Sequence, residues 1–198
     1  MTEPIVLASM SAARRALLAG AGIAHRAVSP GVDEEAAKAA FRAEGASPRD
    51  QADWLAELKA VRASQKHRGY VIGADQMLTC EGAVFDKAAD LAEARERLAY
   101  LRGREHQLLC AVVIAREGAV LWRSLEVARL TMRPFSDAFL DAYLVDHGEA
   151  ALASVGCYQL EGGGVQLFSR IEGDYFAILG LPLLPVLAQL RTFGALAP

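Results

Sequence analysis

Ser9, Ser11, Arg14 and Arg15, then Glu34, Lys59, Asp75 with Gln76, Lys87 and Glu161 are scattered along the chain, yet most sit where an apolar run meets polar residues. Several cations with two or three carboxylates is the set that metal-assisted phosphate-ester chemistry requires. The cations bind polyphosphate oxygens. The carboxylates hold a hard divalent cation such as Mg²⁺ or Mn²⁺ and orient or deprotonate water. Each residue alone has a plainer account: helix starts are often polar, acidic residues complement the dipole of a first turn, and lysines beside an apolar stripe run out to solvent.

The elements that must carry these residues can be read from the apolar pattern. Ile5-Val6-Leu7-Ala8 runs into Ser9-Met10-Ser11 and then an Ala/Leu segment, which predicts a buried strand, a tight turn and a helix. Such a turn can aim backbone N–H groups, the Ser9 and Ser11 hydroxyls and the Arg14 guanidinium at one anion. Ala27-Val28 suggests a short strand, and Val32-Asp33-Glu34-Glu35 opens an alanine-rich helix to about Glu44. Ser47-Pro48 starts a helix to about Gln65, with Leu55, Leu58 and Val61 marking its buried stripe and Lys59 beside it. Tyr70–Leu78 reads as a buried strand ending in the carboxylate of Asp75, the end at which ligands gather in α/β proteins. The turn Cys80–Ala83 returns through Val84-Phe85 to Asp86-Lys87, placing Asp75 and Lys87 on the arms of one hairpin.

Asp90 begins a helix to Leu101, Leu108–Ala115 and Val120–Met132 form a long hairpin, and Ser136 caps a helix that is expected to stop before Gly148. Gly156–Leu181 is rich in turns. Its Gly162-Gly163-Gly164 run is neither a Walker loop nor a dinucleotide fingerprint and reads as a flexible turn. Leu183–Phe193 closes the chain as a helix. No internal repeat or linker interrupts it, so the expectation is one α/β domain over residues 1–198, with a long mixed sheet flanked by helices.

Composition narrows the function classes. The 198 residues carry 21 Lys plus Arg against 24 Asp plus Glu, a formal charge of −3, which disfavours non-specific nucleic-acid binding. Cys80, Cys110 and Cys157 are odd in number and lie in apolar runs, as small hydrophobes in a reducing compartment do. No stretch has the length of a membrane span, and the arginines follow the first apolar run instead of preceding it, unlike a secretory signal. The expected location is the cytoplasm.

Leu7-Ala8-Ser9-Met10-Ser11-Ala12-Ala13-Arg14-Arg15-Ala16-Leu17-Leu18 resembles the opening signature of the Maf family of nucleoside triphosphate pyrophosphatases. Val32-Asp33-Glu34, Lys59-Ala60, Ile72–Gln76, Asp86-Lys87, Glu161–Gly164, Glu172–Tyr175 and Gly180-Leu181-Pro182-Leu183 follow in the family's order. The resemblance implies hydrolysis between the α and β phosphates of a nucleoside triphosphate, a fold shared with inosine triphosphate pyrophosphatases, and a homodimer. It implies that Asp75 is the metal-linked carboxylate that activates water and that Glu34 helps to bind the divalent cation. Arg14, Lys59 and Lys87 would hold phosphates, with Ser9 and the turn amides completing the pocket.

Where many members have Ser-Pro-Arg-Arg this chain has Ser11-Ala12-Ala13-Arg14, and Arg15 belongs to an Arg-Arg-Ala-Leu-Leu variant resembling the branch that acts on 7-methyl-GTP. Gln76, and Glu161 as an acceptor for a guanine N1–H and amino group, point the same way. Asp174-Tyr175 resembles the dTTP/UTP branch, and Ala88 stands where the family usually has proline. The 7-methyl-GTP branch is favoured. The alternative in a different class is a non-catalytic nucleotide-binding regulator of cell division.

Overall fold

The computed structural model describes residues 3–197. Among the described residues seven strands form one mixed sheet in the order β2-β1-β3-β5-β6-β7, with β4 paired to β3. They are β1 (Ile5–Leu7), β2 (Arg26–Ala27), β3 (Tyr70–Cys80), β4 (Ala83–Phe85), β5 (Glu105–Arg116), β6 (Ala119–Met132) and β7 (Phe168–Glu172). The helices are α1 (Ala12–Gly20), α2 (Glu34–Ala43), α3 (Pro48–Ser64), α4 (Leu91–Leu101), α5 (Asp137–Leu152), α6 (Tyr175–Ile178) and α7 (Leu183–Thr192). The expected mixed α/β architecture is present. Among the described residues no helix is long and apolar enough to cross a membrane.

The chain divides into two compact units. The first takes in the chain up to Gln76, Cys110–Glu126 and the chain from Asp174 onward; the second takes in Met77–Leu109 and Val127–Gly173. In the first, β1 pairs in parallel with β2 and with β3. Alternation along β1 sends Ile5 and Leu7 into a core with Leu18, Ile72, Val112, Ile114, Leu181, Val186 and Leu190, and sends Val6 and Ala8 into a second core with Ala63 and Val71. A strand buried on both faces reads as an unbroken apolar run, which is why β1 was legible.

The second unit contains the β3–β4 hairpin, in register Leu78↔Phe85 and Cys80↔Ala83, and β7 paired antiparallel with β6. Here α4 packs on α5. The helix from Ser136 does not stop before Gly148 but runs through it to Leu152. A Cβ at Gly148 would come within 2.7 Å of Leu91 Cδ2, so this glycine is a close-approach position between two helices and not a terminator. The glycine run is likewise no flexible turn. It opens a 3₁₀ turn, Gly163–Leu167, where a Cβ on Gly163 would meet His147 Nε2 at 2.1 Å and one on Gly164 the Gln159 carbonyl oxygen at 2.4 Å.

Candidate active site

The first unit places a lysine where the sequence pattern did not. The buried face of α3 comprises Gln51, Ala52, Leu55, Ala56, Lys59, Ala60, Ala63 and Ser64, while Leu58 and Val61 are half-buried and Trp54 is exposed. The cause is Gly73 in β3: a Cβ there would lie 2.3 Å from the Ala56 carbonyl oxygen and 2.6 Å from the Ala60 nitrogen. Backbone meets backbone at this point, only small residues such as Ala56 and Ala60 fit opposite Gly73, and the helix turns that side inward. Lys59, one position from Ala60, is carried in with them instead of running out to solvent.

Inside, the Lys59 ammonium donates to Asp75 Oδ1 at 2.7 Å and pairs with Glu34 Oε2 at 2.9 Å. The lysine and aspartate side chains are 5% and 8% exposed and that of Glu34 41%, so the pair is dry on one side and open on the other. The expectation that Asp75 stands at the end of its strand fails, because β3 continues to Cys80. It lies past the end of β1, whose last pairing is Leu7↔Ile72. The carboxyl edge that matters is therefore the neighbour's. Glu34 is the first residue of α2, behind Asp33, whose Oδ1 accepts the Ala36 N–H at 3.0 Å. Asp33 does the capping, and Glu34 is left for Lys59.

The β1–α1 turn gathers two hydroxyls and a guanidinium. Ser9 is buried, and its Oγ accepts the Ser11 N–H at 3.2 Å and Arg14 Nη1 at 3.3 Å. With both lone pairs taken, the hydroxyl has a donor to offer a ligand. Ser11 Oγ caps α1 by accepting the Arg14 N–H at 3.4 Å. Arg14 Nε donates to the Gly180 carbonyl at 2.7 Å, so its guanidinium is fixed from two directions. Arg15 is exposed on the next position of the helix. Gln76 Nε2 donates to the carbonyls of Ala177 at 2.9 Å and Ile178 at 3.1 Å, tying β3 to the segment that leads to Gly180.

Cys110 in β5 lies within the field of several charges. Burial pushes its thiol up to about 12, and it feels Arg14 in one direction and Asp75, Asp174 and Glu126 in the other. Arg14 and Asp75, far apart in sequence, thus lie within electrostatic reach of one buried atom. Asp174 and Glu126 join them, and neither was singled out as a site residue from the sequence. Asp174 has a visible signal, since it caps α6 by accepting the Ala177 N–H at 2.8 Å. Glu126 is one acid in a run of half-buried strand residues, Ser124 to Val127, and carries none.

Lys87 and Glu161 belong to the second unit. Lys87 is exposed, two residues past β4, and Glu161 is exposed in the turn before the 3₁₀ segment. Among the described residues no group of three or more His, Cys, Asp or Glu is placed to hold a metal alone. The pair Glu34 and Asp75 fits a different arrangement, in which one or two carboxylates share Mg²⁺ with water and substrate phosphates.

A model of the family described as Maf-like protein matches residues 4–193. The chain belongs to the Maf family. A Caulobacter vibrioides relative named nucleoside triphosphate pyrophosphatase is 60% identical over 193 residues, covering 98% of this chain and 97% of its own. One from Granulibacter bethesdensis with the same name is 54% identical, covering 97% and 98%. A Mesorhizobium japonicum relative named 7-methyl-GTP pyrophosphatase is 51% identical, covering 99% of both chains. Membership accounts for the order of matching segments from Leu7 to Leu183.

Proposed function

We propose that this Maf protein is a nucleoside triphosphate pyrophosphatase that cleaves between the α and β phosphates, releasing the monophosphate and pyrophosphate, with 7-methyl-GTP-like nucleotides preferred over dTTP and UTP. The observation that carries the reading is the buried Lys59 held between Asp75 and Glu34. A cation enclosed by two carboxylates is costly to bury, and the Gly73 contact that enforces it has no need of a charge. The names of the relatives support the reaction class, and the Mesorhizobium relative supports the preferred base.

In this reading Asp75 accepts the proton of the attacking water while the Lys59 ammonium holds its carboxylate in place. Ser9, the turn amides and Arg14 bind phosphate oxygens, and Lys59 and Lys87 add positive charge as the pyrophosphate leaves. Fixed donors of this kind stabilise developing charge without reorganising during the reaction. A divalent cation, Mg²⁺ or Mn²⁺, held by Glu34 and Asp75 would supply further charge neutralisation. Glu161 and the Oε1 of Gln76 are acceptors for guanine donors, the Gln76 amide nitrogen being engaged with α6.

A pyrophosphate-release screen over natural and methylated nucleoside triphosphates, with Mg²⁺ or Mn²⁺, tests this. Turnover of 7-methyl-GTP above UTP, reversed by Glu161→Gln, is expected. Tight nucleotide binding without product from any triphosphate would replace the enzymatic reading with that of a binding regulator.

A further inference from the structure

The Asp86-Lys87-Ala88-Ala89 loop is held by side chains that the reaction itself does not use. Arg97 of α4 is buried, and its guanidinium donates to the Asp86 carbonyl and, at 3.0 Å, to the Val155 carbonyl. Its Nη2 pairs with Glu93 Oε1 at 2.5 Å, and Glu93 Oε2 accepts the Ala89 N–H at 2.8 Å. The loop is thus gripped at the residue before Lys87 and two residues after it, by two side chains that grip each other. Val155 leads into Cys157, two residues further on. Cys157 adopts φ 58°, a left-handed backbone that side-chain-bearing residues rarely take and that surrounding structure must enforce.

For stability alone this is a poor arrangement. It buries a permanent charge and leaves Arg97 Nε without a partner. The Phe85 ring lies 5.5 Å from the guanidinium, so an apolar side chain would pack in the same space. What the charge achieves is a fixed backbone on either side of one exposed lysine. We propose that Arg97 and Glu93 are positioning residues for Lys87, locking the Asp86–Ala89 backbone so that the ammonium is presented to substrate phosphates in one place. The inference rests on the reading of Lys87 as a phosphate-binding residue.

The test is a double-mutant cycle in the full chain. Arg97→Met and Glu93→Ala are each made alone and on Lys87→Ala, and steady-state pyrophosphate release from 7-methyl-GTP is measured with Mg²⁺. Each single variant is expected to raise KM about tenfold with a smaller change in kcat, and to change KM less than about twofold once Lys87 is gone. Amide hydrogen exchange at Lys87, Ala88 and Ala89 is expected to accelerate in both variants while the interior of α4 stays protected. Effects on KM that multiply undiminished on Lys87→Ala, or unchanged exchange in the loop, would overturn the inference and leave the reading of Lys87 standing. Full activity of Lys87→Ala would overturn that reading and the inference with it. Should Arg97→Met fail to fold, Glu93→Ala decides alone, because Glu93 is partly exposed.

Discussion

The Lys59 ammonium lies 2.7 Å from Asp75 Oδ1 with both groups withdrawn from solvent, and Glu34 closes the cluster from the open side. One cation against two carboxylates leaves the cluster short of positive charge, which phosphate-bound cations would restore. Asp75→Asn keeps the shape and the Lys59–Glu34 pair, so it is expected to fold normally while lowering kcat about 10²–10⁴-fold, the usual contribution of a general base. Lys59→Met removes the shared cation and is expected to lower stability by about 3–5 kcal/mol as well, because it strands a buried carboxylate. Pyrophosphate release and urea unfolding on the two proteins separate the effects. Full turnover by Asp75→Asn would remove Asp75 from the chemistry.

Gly73→Ala is expected to damage the site from a distance. The new methyl would sit 2.3 Å from a backbone oxygen of α3, and backbone cannot rotate away as a side chain can. Overpacking of this kind costs about 1–3 kcal/mol or more, and relief requires α3 to retreat, carrying Lys59 from Asp75. Melting temperature and kcat should therefore fall together. A drop in stability with unchanged kcat would show that the site tolerates movement of the helix.

The same contact explains what could and could not be read from the chain. β1, the start of α3 at Ser47-Pro48 and the Glu81-Gly82 hairpin turn are local, and their residues announce them. The face of α3 is not local: Leu58 and Val61 have the larger apolar side chains, but a glycine on another strand decides which side turns inward. Gly148 misled for the same reason, since its meaning depends on Leu91, far away in sequence. At the site, Ser9, Arg14, Asp75 and Glu34 are hydroxyls and charges beside apolar runs, but each has an ordinary structural account, and only the resemblance to the Maf family gives them roles; Asp75 lies inside β3 and not at its end. Glu126 shows itself only through Cys110, which no sequence pattern connects to it.

Arg14→Lys preserves the charge and loses the planar fork. Nε donates to Gly180 and Nη1 to Ser9, and an ammonium cannot reproduce two donors at that separation. KM for the triphosphate is expected to rise about tenfold, with far less effect on thermal stability because the side chain is only partly buried. The comparison with Arg15→Lys sharpens the result, since Arg15 is exposed. An equal loss in both variants would mean that charge alone, and not the fixed guanidinium, binds substrate.

His106 makes acid the weak point of the second unit. It is buried, with Nε2 hydrogen-bonded to the Tyr158 hydroxyl at 2.8 Å, Nδ1 without a partner, and the Phe168 ring against it. Burial lowers its pKa from 6.5 to about 4, so the folded protein holds it neutral. Between those values the unfolded chain binds the proton and the folded one does not, so stability is full above pH 6.5 and drains away as pH falls towards 4. A shift of that size corresponds to about 3 kcal/mol over the whole window, and about 2 kcal/mol of it is spent by pH 5, before most carboxylates titrate. Urea midpoints at pH 7 and pH 5 measure this directly. His106→Gln can keep a hydrogen bond to Tyr158 but has no proton to gain, so its midpoint should change much less over the same interval. If wild type and variant lost stability in parallel, the acid sensitivity would have to lie in other groups.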